Sequence, residues 1–235
     1  MTQQPVVLAL DGITKVYDGA VPVHALRSCS LVIRRGEFVG IVGPSGSGKS
    51  TLLNIIGLLD APSAGSMCIE GQRTTGLRDV ELSAIRGRQI GFVFQAFHLL
   101  DYRTALQNVA LALLYAGVPR RERTQRAQDA LHAVGLSQRM TSRPSQMSGG
   151  ERQRLAIARA LVAEPAFVLC DEPTGNLDSV NAGSIVALLA ELNAAGRTII
   201  IVTHDDTVAR ACQRVLRVTD GNVRDDKRPS PAGAE

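Results

Sequence analysis

The spacing of hydrophobic positions changes along the chain. Near the N-terminus they come in short runs between turn residues. Val6–Leu10 is wholly apolar, Asp18-Gly19 marks a turn, and Ala25–Ile33 mixes apolar and polar positions like a half-buried strand. Gly36–Val42 (G-E-F-V-G-I-V) predicts a buried strand that runs into a glycine-rich loop, after which Thr51–Leu59 takes up helical spacing. A second β-like segment follows, with turns predicted at Ala64-Gly65 and Glu70-Gly71, and then a strand at Gln89–Gln95. From about residue 96 to 150 the pattern is helical. Ala127, Ala130, Leu131 and Val134 fall on one face, with Arg120, Arg121, Arg123 and Arg126 on the solvated side. A helix over Glu151–Ala163 stops before Pro165. The remainder alternates: strand Phe167–Cys170, helix near 180–193, strand Thr198–Thr203, helix near 206–212, strand Val215–Val218. Such alternation predicts an α/β fold around a parallel sheet.

Composition narrows the class. A chain of 235 residues can bury a core without disulfides or a structural metal. Its 45% hydrophobic and 20% charged residues exclude disordered, collagen-like and disulfide-scaffold classes. Apolar runs such as Val6–Leu10 and Ile199–Val202 are far too short to span a bilayer, and Met1–Gln4 lacks the basic flank of a signal peptide. A cytoplasmic location is therefore expected. Cys29, Cys68, Cys170 and Cys212 are scattered with no C-x-x-C pair, which argues for small buried hydrophobes in a reduced compartment rather than zinc ligands or disulfides. The net charge of +4 permits nucleic-acid binding, but aromatics are only 3% and Trp is absent, so stacking on single strands is not expected. The tail from Arg224 to Glu235 is charged, then Pro- and Ala-rich, and is expected to be disordered.

One segment carries chemistry outright. Gly43-Pro44-Ser45-Gly46-Ser47-Gly48-Lys49-Ser50 matches G-x-x-x-x-G-K-[ST] in full, between a predicted strand and a predicted helix that begins at Thr51. The glycines let successive backbone amides turn inward around an anion, and the helix aims its positive end at the same point. Lys49 neutralises phosphate charge and Ser50 can ligate Mg²⁺. Such a site needs a further carboxylate at the end of an apolar strand, expected next to the P-loop strand in the sheet. Phe167–Cys170 leads to Asp171 in that role, and Glu172 follows as a candidate base for the attacking water.

With these residues in place, the chain resembles the ATP-binding-cassette (ABC) ATPase family over about residues 5–223. Met147-Ser148-Gly149-Gly150-Glu151 is similar to its signature, usually L-S-G-G-Q. Ser148 and Glu151 also have the spacing of a capping box. The resemblance implies a P-loop NTPase (RecA-like) core with an N-terminal antiparallel β subdomain and an inserted helical subdomain near 96–150. It implies that Gln95 contacts Mg²⁺, that Gly175–Asp178 is the D-loop, that His204 touches the γ-phosphate, and that Tyr17 stacks on adenine. It further implies ATP and Mg²⁺ as cofactors, a head-to-tail homodimer in the ATP state, and a separate transmembrane permease. No nucleic-acid partner is implied, and the expected place is the inner face of the membrane. Gly57–Asp60, Phe92–Leu100 and Asp171–Asp178 resemble the MacB/LolD type of macrolide-export and lipoprotein-release ATPases. Asp101 departs from the Pro usual there. An FtsE-like cell-division ATPase that acts without transport is the alternative. A soluble ABC protein of translation or repair generally needs two cassettes or a long insertion. A module that has lost hydrolysis is opposed by the presence of both Glu172 and His204.

Overall fold

The computed structural model describes residues 4–226. Strand β1 (Val6–Tyr17) pairs antiparallel with β2 (Val23–Arg34) and with β4 (Ala64–Ile69), and β5 (Gln72–Arg73) extends that sheet in the order β2-β1-β4-β5. The second sheet has the order β10-β9-β3-β8-β7-β6, from β3 (Phe38–Val42), β6 (Ile90–Phe94), β7 (Phe167–Asp171), β8 (Ile199–Val202), β9 (Arg214–Thr219) and β10 (Asn222–Asp226). It is parallel except for β10, which pairs antiparallel with β9. All residues of β3 and β8 are buried, as expected of strands covered on both faces.

Successive residues of the central strands serve two cores. Ile200 joins Ile13, Leu52 and Ile55, packing the parallel sheet against the antiparallel sheet and α1 (Lys49–Ile56). Ile201 joins Val109, Leu131, Ile157 and Ile185 on the other face. These come from α3 (Ala105–Tyr115), α4 (Arg120–Ala133), α5 (Gly149–Leu161) and α6 (Ser179–Ala194). Burial of each such aliphatic side chain contributes about 1.5–3 kcal/mol. This is the α/β core with an antiparallel β subdomain and a helical segment that the resemblance implies.

Four expectations are corrected. Helix α2 (Asp79–Gln89) precedes β6 where no helix was expected. Ala64-Gly65 is not a turn but the start of β4, where Gly65 takes φ +92° against the bulge at Gly12 of β1. The carboxylate strand is not next to the P-loop strand, because β8 lies between β3 and β7. Arg224–Asp226, assigned to the tail, pairs in β10, so the sheet continues past residue 223; residues 227–235 of that tail lie outside the described residues. Short helix α7 (Asp206–Ala211) leads into β9. Among the described residues no helix is long and apolar enough to cross a membrane.

Candidate functional site

Strand β3 delivers the chain from the core into the Gly43–Gly48 loop. Gly46 and Gly48 have φ of +76° and +108°, and a side chain at Gly48 would run into the Ala25 carbonyl of β2. The loop is braced from behind. The amide of Gly221 donates to the Ser47 carbonyl at 2.9 Å, and the amide of Arg27 donates to the Gly221 carbonyl at 2.7 Å. Helix α1 opens at Lys49 with no side-chain cap, so its first-turn amides remain available to an anion. Lys49 Nζ crosses the loop and donates to the carbonyls of Gly43 and Pro44, both at 2.8 Å.

A cleft of about 540 Å³ opens over this loop. Of the residues expected there, Tyr17, Ser45, Gly46, Gly48, Lys49, Ser50 and Thr51 line it. Gly43, Pro44 and Ser47 shape it from below: the first two hold Lys49, and Ser47 is buried. His24, Arg27, Asp220 and Gly221 also line the cleft, unforeseen from sequence. The one available signal was the Asp220-Gly221 turn pair, which has no motif attached.

Beside the cleft, the ends of β7 and β8 bring three expected residues together. Glu172 adopts φ +45°, and its amide donates to the Val202 carbonyl at 2.9 Å. Its Oε1 accepts from the His204 amide at 3.1 Å and lies 2.7 Å from His204 Nδ1. Its Oε2 accepts from the Thr203 hydroxyl at 3.2 Å. The Glu172 hydrogen bond and charge raise the His204 pKa above its ordinary 6.5, although the ring is largely exposed. Burial raises the Asp171 pKa, the neighbouring Glu172 charge adds to this, and Lys49 opposes both. Lys49 therefore couples the cleft electrostatically to Asp171.

Gln95 follows β6 and is tied to the D-loop. Its Nε2 donates to Asn176 Oδ1 at 3.2 Å, and Asn176 Nδ2 donates back to the Gln95 carbonyl at 2.9 Å. Ser148 caps α5 through a reciprocal capping box. The Glu151 amide donates to Ser148 Oγ at 3.2 Å and the Ser148 amide donates to Glu151 Oε2 at 2.8 Å. Arg139 donates to Glu151 Oε1 at 2.8 Å. Gly149 and Gly150 pack on Leu177 and Asn181 at the start of α6. Residues 148–150 do not line the P-loop cleft, and neither do Gln95, Asp171, Glu172 or His204.

Oxygen donors fit a magnesium ion better than a closed protein cage does. Among the described residues there is no group of three His, Cys, Asp or Glu side chains arranged for a metal. Ser50, Asp171 and Gln95, the residues expected to hold Mg²⁺, carry a hydroxyl, a carboxylate and an amide oxygen, donors of the hard kind that Mg²⁺ takes together with phosphate and water. Further out, an apolar groove of about 570 Å³ runs between α2, β6, α3 and α5, lined by Phe94, His98, Leu100, Leu111 and Tyr115 among others. Arg159 Nη2 at its edge donates to the Phe97 carbonyl at 2.8 Å, and Nη1 donates to the His98 carbonyl. This anchors the two consecutive residues at positive φ that follow Gln95.

Residues 26–175 match the family model described as ABC transporter. The chain is 48% identical over 218 residues to an uncharacterized ABC transporter ATP-binding protein of Thermotoga maritima, covering 92% of this chain and 93% of that one. It is 46% identical over 228 residues to the macrolide export ATP-binding/permease protein MacB of Nitrobacter winogradskyi, covering 97% of this chain but 35% of that longer protein. Among solved structures it is similar to the ATP-binding cassette MJ0796 in a dimeric post-hydrolysis state bound to ADP and Pi. That likeness has a TM-score of 0.83 at 45% identity, over 94% of this chain and 98% of the other.

Proposed function

This chain belongs to the ABC transporter family and is an ATPase, and from that premise we propose that it powers export, or extraction of a substrate from the membrane, through a separate permease. One observation carries the hydrolytic part: Glu172 and His204 are hydrogen-bonded to each other at the ends of adjacent strands β7 and β8, of which β8 neighbours the P-loop strand. The P-loop amides and Lys49 bind the phosphates of ATP, Thr51 lines the same pocket, and Tyr17 meets the adenine. Ser50, Asp171 and Gln95 would hold Mg²⁺, which would neutralise phosphate charge. Glu172 accepts the proton of the attacking water, and His204 keeps Glu172 oriented and reaches the γ-phosphate. The Ser148–Gly150 amides, at a capped helix N-terminus, act on ATP held by a second copy of the chain. Two solved structures of the cassette MJ0796, both described as dimeric, support this pairing.

The apolar groove beside Gln95 is where the permease docks, which would place the chain on the inner face of the membrane. MacB of Nitrobacter winogradskyi, described as an ATP-binding/permease protein for macrolide export, supports the export direction. The test is co-purification from native membranes using the tagged chain and a Leu111→Asp variant that charges the groove. A multi-span membrane protein should accompany the first and not the second. Recovery of the chain without any membrane protein, or equal recovery with both, contradicts a permease seated in this groove.

A further inference from the structure

Tyr17 does not stand alone at the mouth of the cleft. Its hydroxyl donates to Asp60 Oδ2 at 2.9 Å, although Asp60 lies 43 residues away in the turn after α1. The same carboxylate takes Lys15 Nζ at 2.7 Å and the Ala61 amide at 2.7 Å on Oδ1. Lys15 also donates to the Ala61 carbonyl at 2.8 Å, and its ammonium sits 4.8 Å from the centroid of the Tyr17 ring. Ser63 completes the clamp: its Oγ accepts from the Val16 amide at 3.0 Å and donates to the Val16 carbonyl. Lys15 is nearly buried and is not among the residues lining the cleft, whereas Tyr17 lines it and is 40% exposed. The ring is thus pinned at its hydroxyl and backed by a cation on one side. Its remaining surface borders the P-loop cleft.

We propose that Asp60 is a positioning residue for nucleotide binding: with Lys15 it freezes the Tyr17 ring as a preformed platform for a purine base. This rests on Tyr17 being the adenine platform. Burial works against the Asp60 charge, yet the hydrogen bonds from Lys15 and Tyr17 hold its carboxyl below the usual range, so the clamp is intact at neutral pH. A tyrosine already fixed in place loses little side-chain freedom when a base stacks on it, and immobilising a loose side chain costs about 2- to 12-fold in affinity.

The experiment is a mutant cycle on the full chain, with ATP affinity by calorimetry, KM and kcat for hydrolysis, and the thermal midpoint for each variant. Asp60→Ala should raise the ATP Kd and KM by about 2- to 12-fold, with the loss in KM rather than kcat. Tyr17→Ala should cost more, and Tyr17→Phe, which breaks only the hydroxyl contact, should cost less than Asp60→Ala. Asp60→Ala placed on Tyr17→Ala should cost nothing further, an outcome that a general loss of stability would not give. If Tyr17→Ala weakens binding but Asp60→Ala does not, or if the two effects add in full, the positioning role is overturned while the stacking platform stands. If Tyr17→Ala itself leaves affinity unchanged, the platform and the inference built on it both fall.

Discussion

The two corners proposed to bind phosphate are made in opposite ways. The P-loop is shaped by backbone. Gly46 and Gly48 occupy conformations that other residues resist, Gly48 presses on the Ala25 carbonyl, and Lys49 spans the loop to two of its own carbonyls. The signature corner is shaped by side chains. Ser148 and Glu151 close a capping box, Arg139 holds Glu151, and Gly150 sits against the side-chain amide of Asn181, which donates to Asp178. The first corner hangs on the core under the antiparallel sheet, the second on the core under the helices. The first is therefore preformed for its ligand in a single chain. The second is a capped helix end whose phosphate, in the proposed pairing, belongs to ATP held by another copy.

Breaking the first corner should have the largest effect. Lys49→Ala removes the charge nearest the phosphates and should abolish hydrolysis and strongly weaken ATP binding. A phosphate-release assay with calorimetry checks this, and near-normal turnover would contradict the P-loop assignment.

Two alanine substitutions sharpen the contrast. Gly48→Ala combines φ +108° with a collision against backbone and should cost about 1–3 kcal/mol of stability as well as ATP binding. Gly150→Ala meets only a side chain and gains helix propensity of about 0.5–1 kcal/mol, so stability and ATP binding by one chain should change little. Its cost should fall on dimerisation. Thermal unfolding and calorimetry separate the two, and equal loss of ATP binding in both would erase the distinction between the corners.

The smallest effect concerns His204 and its partner Glu172. Its pKa is raised above 6.5 by Glu172, so the contribution of the pair to stability is complete below that value. It is lost as pH rises from 6.5 through the raised folded value. Titration of the imidazole by NMR should show a pKa above 6.5 in the wild type and a lower one in Glu172→Gln. The same midpoint in both would mean that Glu172 does not hold the ring.

Much of this was legible in the sequence where the determinant is local. The P-loop lies between a strand and a helix, and the Ser148–Glu151 spacing predicts the capping box that forms. The missed elements lack such marks. Helix α2 buries only Ile85 and carries Gly87 among charges, so it has almost no apolar stripe. Strand β10 has the sequence Asn-Val-Arg-Asp-Asp, mostly exposed, and is held by its ladder to β9 and by Arg214 and Arg217. Strand order is non-local, which is why β8 between β3 and β7 was not foreseen. His24 and Arg27 reach the cleft only because β2 passes behind the P-loop.

The most direct measurement uses Glu172→Gln, which keeps the shape of the base but removes its proton affinity and should slow turnover by roughly 10²–10⁴-fold. With ATP and Mg²⁺ held but not hydrolysed, each γ-phosphate should bind the signature helix of the other copy. In sedimentation or sizing, this variant should therefore run with ATP at about twice the 25.0 kDa of one chain, and with ADP as a single chain. Adding Ser148→Arg should return it to a single chain with ATP bound. A double variant that still dimerises with ATP would contradict the claim that the second corner completes the site of a partner.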